Sequence, residues 1–161
     1  MSVVVGVGRS FAGLQALRFA VAEGRRRGCP VLAVRVWLMA QAWRTVCAQS
    51  WRTEMCDDAR DYALGAFDTA MGGLPDDVDV RVVPREGVVG PTLVASAAGD
   101  DLLVVGGGRS ILGYPYSPQV TRYCVRHAHC PVIAVPAPAL ARVAGRVSRA
   151  IARDMGELTA R

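Results

Sequence analysis

Short apolar runs alternate with segments of helical periodicity over the first 135 residues of the chain. Residues 2–7 and 101–105 are runs rich in Val and Leu, which is typical of strands buried on both faces of a sheet. Residues 77–83 alternate apolar and polar positions, as expected of a strand nearer a sheet edge. The predicted strands are Ser2–Val7, Pro30–Trp37, Asp77–Val83, Asp101–Val105 and Pro131–Val135.

Helical spacing fills the intervals between the predicted strands. After Ser10, a suitable N-cap, apolar residues recur every three or four positions as far as Gly24. The run Arg25–Gly28 then places cations at the negative end of that helix. Pro118, directly after Ser117, suits the first turn of another helix. The predicted helices are residues 11–28, 54–71, 91–98 and 117–128.

This alternation predicts an α/β domain with a Rossmann-like parallel sheet and helices on both faces. Ligands of such sheets bind beyond the carboxyl ends of the strands, where the strand order reverses. The segments that follow Val7, Val36 and Val105 are therefore the places to look for a binding site. Residues 38–51 show no clear period, and we predict a lid-like excursion there.

The end of the chain has a different pattern. Apolar residues from Leu140 to Leu158 recur at spacings of three and four, and four Arg residues accompany them. This pattern predicts a basic amphipathic helix, so we divide the chain into a domain, residues 1–135, and a tail, residues 136–161. Three roles stay open for the tail helix: docking on its own domain, meeting a second subunit, or contacting an acidic protein or membrane surface.

All 19 basic side chains are Arg, and the chain contains no Lys. This composition excludes a Walker A lysine, a Schiff-base lysine and a lysine general base. The net charge is +5, of which the tail contributes +3 (five Arg against two acids) and the domain +2 (fourteen Arg against twelve acids). The domain is thus nearly balanced in charge, which argues against a broad nucleic-acid-binding surface.

The cysteines and the hydropathy pattern predict the compartment. Five cysteines without an export signal indicate reduced thiols, so we expect a cytoplasmic protein. No apolar run approaches the roughly 18 residues needed to cross a bilayer, so we expect no membrane insertion.

Two motifs suggest chemistry that the rest of the chain does not support. The run Gly6–Gly13 follows a strand and opens a helix, as in a dinucleotide fingerprint, but Phe11 stands at the third glycine position. The run Cys124–Cys130 includes both histidines, but no second ligand pair exists to close a zinc site, and its spacing predicts buried structural thiols. No Ser lies in a nucleophile elbow. We therefore predict no catalytic residue and no metal site.

A glycine-rich loop follows the fourth predicted strand. Gly106, Gly107 and Gly108 precede Arg109, and the next helix begins near Ser117. Glycines let backbone N–H groups approach a phosphate, and a helix N-terminus adds positive partial charge, so this loop is a candidate anion cradle. The alternative is that the glycines only permit the turn.

Three blocks of the sequence resemble the universal stress protein family. They are Val3–Ser10, Asp100–Gly106 and Val120–Val132, the last of which holds a closing helix and a Cys-Pro-Val strand. The resemblance spans roughly residues 2–135 and implies a five-stranded parallel sheet of order 3-2-1-4-5. It also implies dimerisation through the fifth strand. We expect a homodimer through Pro131–Val135, because a hydrophobic edge strand needs cover.

Some members of the family bind ATP and others do not. The resemblance implies that binders have an Asp after strand one and the motif Gly-x2-Gly-x9-Gly-Ser after strand four. Gly106 matches the first glycine of that motif, and counting forward places the second on Arg109. Counting back from the closing block places the second glycine on Gly108 and the Gly-Ser pair on Pro118 and Gln119, so the loop is one residue short.

These departures remove contacts that an ATP-binding relative would use. Gly8 stands where the Asp is expected, and Pro118 has no N–H to donate to a phosphate. Arg9 and Arg109 offer partial compensation as phosphate partners, and Val36 corresponds to the residue that lines the adenine slot. The candidate binding residues are Gly8, Arg9, Ser10, Val36, Val105, Gly106, Gly108, Arg109, Ser117, Gln119 and Val120.

Three functions follow as hypotheses. The first is a non-enzymatic, stress-linked regulatory module with weak or absent ATP binding that acts through protein contacts. The second is a binder of ATP, ADP or AMP with a remodelled glycine loop. The third is a basic adaptor whose tail helix engages a partner.

Overall fold

The computed structural model describes residues 1–38, 49–107 and 118–140. Within these ranges, strands and helices alternate along the chain. The strands are β1 (Val3–Gly6), β2 (Val31–Trp37), β3 (Val80–Glu86), β4 (Leu102–Gly107) and β5 (Val132–Pro136). The helices are α1 (Phe11–Arg27), α2 (Gln49–Met71), α3 (Val89–Ala95) and α4 (Pro118–His127).

The strands form one parallel sheet in the order β3-β2-β1-β4-β5. Both the predicted α/β class and the strand order implied by the resemblance are confirmed. Val3 of β1 lies opposite Val31 of β2 and Leu102 of β4, so the carboxyl ends of these three strands meet at one edge. The strand order reverses at β1, which is where a ligand crevice is expected.

Alternate side chains of the inner strands point to opposite faces of the sheet and build two apolar cores. On the face covered by α1 and α2, hereafter the α1–α2 face, Val5 and Val104 pack against Leu17 and Phe67. On the other, hereafter the α3–α4 face, the strand residues pack against Leu93 and Cys124. The strand side chains in this second core are Val4, Val34, Val36, Leu103 and Val105.

Helix α1 begins at the predicted cap, Ser10, and ends at the predicted closing residues, Arg25–Gly28. The Ser10 hydroxyl oxygen accepts a hydrogen bond from Gly13 N–H at 3.0 Å, and Gly28 closes the helix with a φ of 63°. Gly24, where the apolar periodicity ends, is buried inside the helix, and a Cβ there would lie 2.5 Å from the Val31 side chain. This glycine is therefore explained by close packing of α1 on β2, not by helix termination.

Several boundaries differ from the predictions. Helix α2 starts at Gln49, so the predicted excursion over residues 38–51 is wrong at its end, while residues 39–48 lie outside the described ranges. Strand β3 is shifted three residues towards the C-terminus. Helix α3 starts two residues before Pro91, because a proline in the first turn has no intrahelical N–H bond to lose.

Strand β3 is an edge strand, as its alternating pattern predicted, and it contains a proline. Gly87 N–H donates to Trp37 O at 2.9 Å, and Asp79 O accepts from Val31 N–H at 2.9 Å. The backbone groups of odd-numbered residues of β3 therefore face β2. Because successive residues point to opposite sides of a strand, the nitrogen of Pro84, an even-numbered residue, faces the outer edge. Pro84 therefore costs β3 no hydrogen bond to β2.

A buried carboxylate ties the start of the chain to the start of β4. Asp101 accepts hydrogen bonds from Ser2 N–H (2.6 Å), the Ser2 hydroxyl (2.8 Å) and Ala98 N–H (2.8 Å). Burial by itself would raise the pKa of the Asp101 carboxyl, but these hydrogen bonds outweigh it, and its pKa is lowered. Asp101 thus has a structural role at the amino-terminal ends of the strands, away from the crevice at their carboxyl ends.

Two expectations concern the tail of the chain and the membrane. The predicted tail helix falls mostly on residues 141–161, outside the described ranges. In the ranges that are described, no helix is long and apolar enough to span a bilayer.

Candidate ligand-binding site

The first turn of α1 lies directly against the end of β4. A Cβ at Gly106 would lie 2.9 Å from both Ala12 C and Gly13 N. Real Cβ atoms essentially never approach backbone this closely, so only glycine fits here. The Thr121 hydroxyl also donates to Gly106 O at 3.3 Å. Gly106, a predicted phosphate-cradle residue, is therefore held by the packing of α1 and α4 on β4.

The loop after β1 makes an equally close contact with α1. A Cβ at Gly13 would overlap the carbonyl oxygen of Gly8. Gly8 itself is buried and is not among the glycines with positive φ. The loop that would hold the ribose-binding Asp in a binder is thus pinned to the helix, and Gly8 supplies no carboxylate. The Ser10 oxygen already accepts the cap hydrogen bond of α1, which leaves its hydroxyl hydrogen and one lone pair for a ligand.

Three of the predicted apolar site residues belong to one core. Val36 is 4% exposed and Val105 is fully buried, and Val120 packs against them beside Cys124. These side chains lie on the α3–α4 face at the carboxyl ends of β2 and β4. They provide an apolar floor at the crevice, and little of their own surface remains exposed for contact with a base.

The remaining predicted residues stay predictions. Gly108, Arg109 and Ser117 lie outside the described ranges. Pro118 is the first residue of α4, as predicted. Because proline has no backbone N–H, the N-terminus of that helix has one donor fewer. Gln119 is exposed on the first turn of the same helix.

The structure brings two residues to Arg9 that the sequence analysis missed. The guanidinium carbon of Arg9 lies 4.6 Å from the centre of the Tyr62 ring, and that of Arg35 lies 3.7 Å from the same centre. Arg35 stands two residues after Ala33 on β2, so strand alternation places it on the α1–α2 face. That alternation was the signal that could have identified it.

The cysteines of the closing block are wholly or partly shielded from solvent. Cys124 is fully buried, as predicted, and burial raises the pKa of its thiol to about 11. Burial also raises the pKa of Cys130. Both thiols are therefore protonated at neutral pH and are poor ligands or nucleophiles. Among the described residues, no group of His, Cys, Asp or Glu is arranged to hold a metal ion.

The fold and the crevice define an α/β protein with a candidate ligand site where the strand order reverses. The profile of the universal stress protein family matches residues 1–136. The chain therefore belongs to the universal stress protein family.

Solved structures of this family share the fold. UspA from Lactobacillus plantarum is 20% identical, with a TM-score of 0.56, and the match covers 83% of this chain and 97% of that one. A universal stress protein in complex with cAMP is 22% identical, with a TM-score of 0.51 and coverages of 84% and 95%. The protein from Archaeoglobus fulgidus in complex with dAMP is 20% identical, with a TM-score of 0.50 and coverages of 84% and 97%. No curated protein sequence matches the chain significantly.

Proposed function

We propose that this chain is a non-enzymatic regulatory binding module of the universal stress protein family with weak or absent ATP binding. The observation that supports this most directly is the contact at Gly106, where the backbone of α1 fills the space beside the glycine. A glycine enclosed in this way at the end of β4 offers less room for a phosphate than an open loop would.

The missing donors and acceptors support the same proposal. Gly8 offers no carboxylate after β1, and Pro118 offers no N–H at the start of α4. Each lost charge-assisted hydrogen bond costs about 1.5–3 kcal/mol, or roughly tenfold or more in affinity. Two such losses reduce a micromolar affinity for ATP to the range of hundreds of micromolar or weaker.

Calorimetric titration with ATP tests this proposal. We expect no saturable binding at micromolar ATP, and we expect Gly8→Asp to raise the affinity about tenfold by restoring one charge-assisted contact. Gly99→Asp is the matched control, because it adds the same charge near the start of β4, at the other end of the sheet, where φ is also not positive. Micromolar ATP binding by the unmodified protein would contradict the proposal.

An adenine nucleotide other than ATP is the second candidate. The apolar floor made by Val36 and Val105 supports it, as do the cAMP and dAMP bound by two structural neighbours. Titration with ADP and AMP beside ATP separates the two candidates, because saturable AMP binding without ATP binding would favour the second.

We also propose a homodimer joined through β5. This strand pairs only with β4 in the described sheet. Leu103 N–H donates to Pro131 O at 2.9 Å, so odd-numbered residues of β5 face β4 and Ala134 presents its backbone to the outer edge. Ala134→Pro should remove one outward N–H without disturbing the β4–β5 bonds, and so convert the dimer to monomer in sedimentation velocity. Ala134→Val should remain dimeric, and a monomeric unmodified protein would refute the proposal.

A further inference from the structure

Two arginine side chains meet at one aromatic ring beside the ends of β1 and β2. Arg9 belongs to the loop after β1, Arg35 to β2, and Tyr62 to α2. Both guanidinium carbons lie within 4.6 Å of the Tyr62 ring centre. The ring attracts each cation, but the two cations repel each other. This cluster of Arg9, Arg35 and Tyr62 therefore carries two positive charges and no negative charge.

The two arginines differ from the arginines of the described residues that form ion pairs. Neither forms an ion pair with a carboxylate of the described residues. The one protein acceptor described for either guanidinium is Val7 O, 3.5 Å from Arg35 Nη1. The arginines that do pair with a described carboxylate are Arg25, Arg26, Arg27, Arg52 and Arg81. Because each guanidinium has five N–H donors, most donors of this cluster have no acceptor among the described residues and can meet an external one.

The Tyr62 hydroxyl adds a third donor at the same place. Its oxygen accepts the backbone N–H of Arg9 at 3.2 Å, which holds the phenol against the loop after β1. No residue in the described ranges accepts the hydroxyl hydrogen, so it can be donated to a ligand.

This cluster is separate from the ATP-type crevice. Arg35 and Tyr62 lie on the α1–α2 face, whereas Val36 and Val105 lie on the α3–α4 face. Arg9 is the one residue of the cluster that the sequence analysis had assigned to the crevice. A ligand held by both arginines therefore lies over the ends of β1 and β2 and not over the glycine loop.

We propose that Arg9, Arg35 and Tyr62 form a binding site for a phosphate dianion, either inorganic phosphate or the phosphate of a monoester. Two guanidinium groups match the double negative charge, and their planar donor pairs match phosphate oxygens. A dianion that contacts both guanidinium groups also offsets the repulsion between two like charges held at one ring. The proposal does not depend on whether ATP binds at the crevice.

A glycine on α2 makes room for one of the cations. A Cβ at Gly65 would overlap Arg9 Nη2, so the guanidinium occupies the space that a side chain would fill. Gly65→Ala should therefore displace Arg9 without removing its charge. Because alanine favours helix, this variant should unfold at an unchanged or higher temperature.

The test is an NMR titration of the arginine Nε–H signals of the full chain with inorganic phosphate. We expect saturable shifts, and an affinity that falls about tenfold or more in Arg9→Gln and in Arg35→Gln, since each removes a charge-assisted contact. Gly65→Ala should weaken binding in the same direction while the protein stays folded. Arg126→Gln, an exposed arginine on α4 with no described ion pair, removes the same charge elsewhere and should leave the affinity unchanged.

The outcomes decide the proposal and the source of the phosphate. Absence of saturable shifts up to about 20 mM phosphate, a concentration that would fill even a weak specific site, overturns it. An equal loss in Arg126→Gln also overturns it, since the effect would then be one of net charge. A parallel titration with AMP and adenosine identifies the source. If the same variants weaken the affinity for AMP and adenosine does not bind, the site binds the phosphate of a monoester. If they weaken the affinity for inorganic phosphate alone, free phosphate is the ligand.

Discussion

Replacing Gly106 with alanine is expected to lower the free energy of unfolding by about 1–3 kcal/mol. The new methyl group would lie 2.9 Å from Ala12 C and Gly13 N, and 3.1 Å from Ala12 O. These are backbone atoms of α1, which cannot rotate aside as a side chain would, so the helix must shift on the sheet. Urea unfolding followed by circular dichroism measures the loss.

Gly107→Ala is the matched control for this prediction. Its nearest neighbour would be the Ala134 Cβ at 3.3 Å, so a shift of a few tenths of an ångström would accommodate it. We expect a clearly smaller loss of stability there. Equal losses at the two positions would contradict the packing role of Gly106. If the prediction holds, weaker ligand binding in any Gly106 variant reports a moved helix and not a lost ligand contact.

The second large effect is expected at Asp101. Asp101→Asn replaces one acceptor oxygen with an NH2 group, which would face a donor, either Ala98 N–H or the Ser2 groups. A buried donor left without an acceptor costs about 1–3 kcal/mol. Thermal and urea unfolding at pH 7 should therefore show a loss of that size. Asp76→Asn, an exposed loop residue, should be nearly neutral.

The contribution of Asp101 to the free energy of unfolding should change with pH only under acidic conditions. Its pKa in the folded protein is lowered below the value of about 3.9 in an unfolded chain, so the unfolded state binds the proton more readily. The contribution is complete above about pH 4 and is lost as the pH falls through the lower folded pKa. Asp101→Asn should remove this part of the acid dependence. An unchanged pH profile in the variant would contradict the assignment.

Much of the fold could be predicted because the signals were local. The Val-rich runs located the inner strands, and Ser10 and Gly28 supply the hydroxyl and the left-handed backbone that begin and end α1. The strand order, by contrast, came from the resemblance to a family, because parallel pairing brings together residues that are far apart in the sequence. One boundary error arose at Pro91, which lies inside the first turn of α3 and does not begin it.

The site was harder to predict than the fold. Gly106 was interpreted as a phosphate-binding glycine, but its contact with α1 depends on how a helix and a strand approach each other, which no local pattern encodes. The Arg9–Tyr62–Arg35 cluster joins a loop, a helix and a strand that are separated by 53 residues at most. Periodicity places each residue on a face but does not show that the three side chains share one position.

The two edges of the sheet have different consequences for assembly. Pro84 directs a nitrogen without hydrogen to the outer edge within β3, whereas the one proline of β5, Pro136, is the last residue of that strand. A pair of chains joined by their β5 edges would present β3 at both ends, where an added strand would lose a hydrogen bond. Addition of further chains at the β3 edges would therefore be disfavoured. A dimer joined through β5 would stay closed and would not extend into a filament.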